Sequence, residues 1–95
     1  LRAKTGEFRR RVADAVAAPI VRRGKPLKVL EVGAGTGAIT EAIVERMGAG
    51  DELHLIEINP EFVKVLQDEF GRLTAPKIRI DALDIEKLPA DARYD

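Results

Sequence analysis

Between Glu7 and Ala18 the apolar residues Phe8, Val12, Ala15 and Val16 recur at helical intervals, while Arg9, Arg10, Arg11 and Asp14 fall mostly elsewhere around the axis. The spacing predicts an amphipathic helix that Pro19 ends or kinks, since proline has no N–H to give back to the preceding turn. Gly24 and Pro26 mark a turn, and Leu27 to Val32 predicts a first strand. The period then becomes helical again. Ile39, Ala42, Ile43 and Met47 share one face, with Thr36 near the start and Gly48 as the stop. After the loop from Gly48 to Asp51, Leu53 to Ile58 predicts a second, mostly apolar strand interrupted by His54. Asn59-Pro60 opens another helix, asparagine suiting the cap and proline the first position, and Phe62, Val63, Leu66 and Phe70 line one side of it before Gly71. Pro76 precedes a third short strand, Lys77 to Ile80, which runs into Asp81-Ala82-Leu83-Asp84.

Strands alternating with helices imply parallel pairing through right-handed crossovers, hence an α/β fold with a Rossmann-like, doubly wound parallel sheet. Ligands of such sheets lie over the carboxyl ends of the strands. The chain divides into a basic N-terminal helical segment, residues 1–26, and a Rossmann-like domain, residues 27–95.

Composition narrows the chemistry. Ninety-five residues bound a single domain with a thin core. The absence of cysteine excludes disulfides and thiolate zinc sites, and a single histidine, His54, speaks against a transition-metal site. Phe8, Phe62, Phe70 and Tyr94 are the only aromatics, too few for a surface that stacks single-stranded nucleic acid. With neither a long apolar span nor a secretory signal, the expected location is the cytoplasm, extending to a peripheral place at the inner membrane face. The zero net charge conceals a division: residues 1–28 carry nine Lys or Arg against Glu7 and Asp14, a balance of +7, which residues 29–95 offset. A basic end of this kind is either a solvated helix face or an electrostatic guide toward an anionic partner.

Residues 29–37 read Val-Leu-Glu-Val-Gly-Ala-Gly-Thr-Gly, a short aliphatic strand ending in alternate glycines. A chain that reverses from a buried strand into a helix uses glycine for positive φ and for the missing Cβ, which lets a ligand approach the backbone. The turn Gly33-Ala34-Gly35-Thr36-Gly37 is therefore a nucleotide cradle, with Glu31 just before it. Glu57, at the end of the second strand, suits the two ribose hydroxyls, and Asp81, at the end of the third, suits an adenine amino group, because a carboxylate is an acceptor able to take two donors. Gly33, Gly35 and Ala38 also satisfy the relaxed Gly-x-Gly-x-x-Gly/Ala dinucleotide fingerprint with Glu57 as ribose acid, which leaves a NAD-binding oxidoreductase domain open. Glu31 tilts the choice, since a carboxylate there suits an ammonium and sits poorly beside a pyrophosphate.

Glu31-Val32-Gly33-Ala34-Gly35-Thr36-Gly37, Glu57-Ile58-Asn59 and Asp81-Ala82 together resemble the class I S-adenosylmethionine-dependent methyltransferases, over roughly residues 27 to 88. The resemblance implies S-adenosylmethionine as cofactor and S-adenosylhomocysteine as product. It places Gly33, Ala34, Gly35, Thr36 and Gly37 at the methionine end, Glu31 at its amino group, Glu57 at the ribose, Ile58 on one adenine face, and Asp81 with Ala82 at the adenine edge. It assigns no catalytic base.

Within that family the loop and the Ile-Glu-Ile-Asn-Pro segment resemble bacterial phospholipid N-methyltransferases and ribosomal RNA adenine dimethylases. The Arg-rich helix with Phe8 and Val12 favours the former, implying methylation of phosphatidylethanolamine and docking on an anionic membrane; the alternatives are N6-dimethylation of rRNA adenine, with RNA as partner, and a non-catalytic cofactor-binding fragment. Family members carry seven strands. Tyr94-Asp95 resembles the start of the fourth, so the chain is expected to be an excerpt whose open first-strand edge associates with itself or with a complementary half.

Overall fold

A computed structural model describes residues 2–21, 24–89 and 92–95, with side chains from Glu7 onward. Helix α1 (Arg2–Ala17) is followed by β1 (Lys28–Val32), α2 (Ala38–Glu45), β2 (Glu52–Ile56), α3 (Pro60–Phe70), β3 (Lys77–Asp81) and a single 3-10 turn, Ile85–Lys87. The strands form one parallel sheet in the order β1-β2-β3, with Glu31 opposite Leu55 and Ile56 opposite Asp81. The expected α/β, Rossmann-like arrangement is therefore present.

Strand alternation sorts the side chains. Val29, Leu53, Leu55, Ile78 and Ile80 share the face that packs against Ala42 and Ile43 of α2 and Leu66 and Phe70 of α3. His54, Arg79 and Asp81 lie on the other face, where Lys28 sits beneath the ring of Tyr94 at 5.3 Å. At the outer edge of β1 the Asp95 amide donates to the Lys28 carbonyl at 2.6 Å, and the Lys28 amide donates to the Asp95 carboxylate at 2.6 Å. Residues 94–95 thus begin to pair beside β1, where a fourth strand was expected to start.

Helix α3 starts as its sequence dictates, with the Asn59 side chain accepting from the Glu61 amide at 2.9 Å and Pro60 at the first position. Helix α2 ends at Glu45, three residues before the expected stop at Gly48: the Arg46 and Met47 amides turn back to the Ile43 and Val44 carbonyls at 3.0 and 3.1 Å, tightening the last turn, and the Arg46 guanidinium donates to the Ala42 carbonyl.

Helix α1 turns its small residues inward and leaves its larger apolar arc outside. The residues it buries are Ala13 and Ala17, whereas Phe8, Val12 and Val16 stand 67%, 43% and 53% exposed. The packed side is chosen by close approach and by charge. Alanines let α1 lie close against α2, and Arg10 reaches Glu45 at 2.6 Å while Arg46 reaches Asp14 at 3.5 Å. Exposed pairs of this kind contribute little individually, but several on one seam fix which side turns inward.

Asp51, which the sequence offered only as a loop residue, is buried and joins separate segments: its carboxylate accepts from the Leu27 and Gly48 amides, each at 2.8 Å, and its carbonyl accepts from the Lys77 amide at 3.0 Å. It ties together the amino ends of all the strands.

Candidate cofactor site

The glycine loop leaves β1 and folds back over the tip of β2. The Gly33 and Ala34 amides donate to the Ile56 carbonyl at 2.8 and 3.4 Å, and the Gly37 amide closes onto the Ala34 carbonyl at 3.1 Å. Gly33, Gly35 and Gly37 adopt φ of 69°, 60° and 98°, a region that costs L side chains about 1–2 kcal/mol. Their surroundings differ. A Cβ on Gly33 or Gly35 would meet nothing closer than 4.0 Å, so these positions face open space; one on Gly37 would stand 2.6 Å from the Phe70 ring. Gly37 therefore makes room for the α3 core, a task its place in the glycine run did not show.

Glu57 is buried, and its two carboxylate oxygens accept from the Gly35 amide at 2.8 Å and the Asn59 amide at 2.9 Å. It joins the loop to the start of α3. An ionised carboxylate has about four acceptor positions, so two backbone donors leave room for two hydroxyls. Glu31 is half-buried, accepts from the hydroxyl of the fully buried Thr40, and has no cationic partner among the described residues. Burial pushes its carboxyl above the ordinary range, and the Thr40 hydrogen bond opposes this only in part.

At the strand tips Val32, Gly33, Ile56, Glu57, Ile58, Leu83, Asp84 and Ile85 line a cleft of about 170 Å3. Val32, Ile58 and Ile85 present apolar side chains there that are at least 43% exposed. The volume falls below the roughly 300–1,000 Å3 of a closed small-molecule site, and Gly33 of the glycine loop stands at its rim. A larger groove, about 570 Å3, runs between α1 and α2, but its walls are Arg9, Arg10, Arg11, Glu7 and Glu41 with alanines, and no strand tip reaches it.

The structure thus gathers Gly33, Glu57 and Ile58 around one cleft, with Gly35 tethered to Glu57, Ala34 buried beneath the loop, and Thr36 exposed on it. Asp81 is placed differently from the sequence expectation. Strand β3 extends through this residue, so alternation turns its carboxylate onto the sheet face, where it meets His54 Nε2 at 2.6 Å and Arg79 Nε at 2.9 Å. Leu83, Asp84 and Ile85, rather than Asp81-Ala82, form the third wall of the cleft. Asp84 also caps the 3-10 turn, accepting from the Glu86 amide at 3.0 Å. A second acid three residues beyond the first was the available signal for it. Among the described residues no cluster of His, Cys, Asp or Glu could hold a metal ion, and no helix is long and apolar enough to cross a membrane.

Residues 29–95 match the family model described as "Methyltransferase domain". Among curated proteins the chain is 38% identical over 77 residues to the hybrid PKS-NRPS synthetase lepA of Aspergillus flavus (80% of this chain, 2% of that protein). It is 29% identical over 76 residues to the ribosomal RNA small subunit methyltransferase A of Mycoplasma capricolum subsp. capricolum (80% and 27%). With the ubiquinone/menaquinone biosynthesis C-methyltransferase UbiE of Idiomarina loihiensis it shares 39% over 72 residues (75% and 28%). The chain thus spans under a third of the length of these relatives. Among solved structures, the plantazolicin methyltransferase BpumL in complex with SAH superposes with a TM-score of 0.65 at 21% identity, covering 99% of this chain and 35% of that one, which is a likeness of fold.

Proposed function

Since the chain belongs to the methyltransferase-domain family, we propose that residues 27–95 form the S-adenosylmethionine-binding half of a methyltransferase, with S-adenosylhomocysteine as product. The observation that carries this reading is Glu57, buried at the mouth of the cleft, tethered to the Gly35 amide, and retaining acceptor capacity for a ribose diol. In this reading Ile58 and Ile85 flank the adenine and Asp84 takes its amino group. Gly33 and Gly35, where no side chain intrudes, lie under the methionine end. The Glu31 carboxylate, held half-buried without a cation, receives the ammonium and disfavours a diphosphate; this favours the sulfonium cofactor over NAD.

The chemistry asked of such a site is mostly positional. When bound, the sulfonium would supply an already activated methyl group, whose transfer to an acceptor nucleophile would leave S-adenosylhomocysteine as a neutral thioether while the acceptor's proton passed to water or a base. The residues described here bind and orient the donor.

For the acceptor, the C-methyltransferase among the relatives supports a carbon nucleophile. The phosphatidylethanolamine amine expected from sequence has one supporting observation, the exposed Phe8-Val12-Val16 stripe of α1 flanked by Arg9 and Arg11, a pattern suited to an anionic bilayer. RNA is the third acceptor class, supported by the rRNA methyltransferase relative. Incubating the protein with methyl-labelled S-adenosylmethionine and, separately, a β-keto acyl thioester, phosphatidylethanolamine vesicles and ribosomal RNA discriminates them: label on carbon is expected, and label only on the headgroup or on RNA overturns the carbon reading.

A further inference from the structure

His54 is a buried titratable residue in the middle of an apolar strand, and the cofactor reading gives it no part. Its ring is held at both nitrogens: Nδ1 lies 2.6 Å from the Tyr94 hydroxyl and Nε2 lies 2.6 Å from Asp81 Oδ2. A carboxylate only accepts, so Nε2 carries a hydrogen toward Asp81, while the tyrosine hydroxyl can donate to Nδ1 or accept from it. The bond to Asp81 therefore persists whichever way the Tyr94 hydroxyl turns. Asp81 is the last residue of β3, and the chain has no regular structure from there until the 3-10 turn at Ile85. Two contacts fix that end: the Asp81 carbonyl accepts from the Glu57 amide at 3.1 Å, and its carboxylate is clamped by His54, with Arg79 alongside. Immediately beyond it come Leu83, Asp84 and Ile85, which wall the cleft.

We infer that His54 is a positioning residue for cofactor binding: by clamping the Asp81 carboxylate, and being steadied itself by Tyr94, it fixes the path of residues 82–85 and so the adenine side of the cleft. The inference rests on the S-adenosyl reading of that cleft. Without the clamp, the wall keeps its composition and loses its placement, so the ligand must order it on binding.

The test is calorimetric titration of S-adenosylhomocysteine into the protein and its His54→Leu, Asp81→Ala, double His54→Leu/Asp81→Ala and Tyr94→Phe variants, all below their unfolding temperatures. Each of His54→Leu and Asp81→Ala, the second of which removes the acceptor, is expected to weaken binding about fivefold or more, the size of one lost hydrogen bond, and the double variant to be no weaker than either. His54→Gln, which retains a donor, should recover part of the loss. Tyr94→Phe, which removes only the outer partner, should fall between wild type and His54→Leu, with faster amide exchange at residues 82–88 following the same order. A His54→Leu protein that melts earlier but binds S-adenosylhomocysteine like wild type would overturn the inference, and so would additive losses in the double variant. Failure of the wild-type protein to bind S-adenosylhomocysteine at all would instead remove the cofactor reading, and the inference with it.

Discussion

Glu57 Oε1 accepts a hydrogen bond from the Gly35 amide at 2.8 Å, so the acid at the tip of the second strand holds the glycine loop by its backbone. The other oxygen holds the Asn59 amide at the start of α3. Glu57→Gln replaces one acceptor by an NH2 group and sets donor against donor at one of these contacts. The expected result is a stability loss of about 1–3 kcal/mol together with an affinity for S-adenosylhomocysteine lowered about tenfold or more, because loop and ribose contact fail together. Thermal melts and calorimetry on the same variant check both.

The loop glycines should separate folding from binding. Gly37→Ala drives a Cβ to within 2.6 Å of the Phe70 ring at a φ of 98°. It is expected to lower the melting temperature markedly, with partial recovery in Gly37→Ala/Phe70→Leu, where the obstructing ring is gone. Gly35→Ala meets no neighbour closer than 4.0 Å, so its cost is limited to about 1–2 kcal/mol of left-handed strain, while its methyl group stands in the space assigned to ligand. Melting curves should show the larger fall for Gly37→Ala, and cofactor titrations the larger loss for Gly35→Ala.

Glu31 gives a pH dependence with a defined sign. Burial raises its pKa in the folded protein above the ordinary value of 4.5, so the folded state holds this proton more tightly than the unfolded one. Its contribution to stability therefore declines as pH rises from about 4.5 through the folded-state pKa, and above that the buried charge is a constant cost. Glu31→Gln, which keeps an acceptor for Thr40, is expected to melt higher than wild type at neutral pH, with the gain vanishing near pH 4. An ammonium-bearing ligand reverses the preference, since it favours the ionised acid. Wild-type affinity should then fall as pH drops through the same window, and the Gln variant should bind more weakly at neutral pH with a flat profile; titrations across pH measure this.

Asp51 is a purely structural acid. Asp51→Ala leaves the Leu27 and Gly48 amides without their acceptor, and a cost of about 2–4 kcal/mol is expected for charge-assisted bonds to a buried carboxylate. Denaturant unfolding should show that loss. Cofactor affinity, measured at a temperature where the variant remains folded, should be close to wild type, because Asp51 lies at the opposite ends of the strands from the cleft.

Much of this arrangement was legible in the chain because its causes are local. Asn59-Pro60 starts α3 through one side chain and one fixed φ, and alternate glycines at the end of an aliphatic strand specify the loop whatever surrounds them. The parts that were not legible depend on distant partners. The inward side of α1 was set by Glu45 and Arg46 on another helix, against the larger apolar arc of its own sequence. The roles of Asp81 and Asp84 turned on a single residue of strand length: with β3 running through Asp81, its carboxylate lies on the sheet face, and the next acid comes to the cleft. His54 gave no signal, since one of its partners, Tyr94, lies 40 positions away.

In the proposed site the cleft takes an adenosyl sulfonium compound over a glycine loop held by Glu57. Parallel calorimetric titrations with S-adenosylhomocysteine and with NAD test it most directly. A saturable heat is expected for S-adenosylhomocysteine, abolished in Gly35→Ala and strongly reduced in Glu57→Gln, with none for NAD; saturable binding of NAD without binding of S-adenosylhomocysteine would rule out an adenosyl sulfonium site.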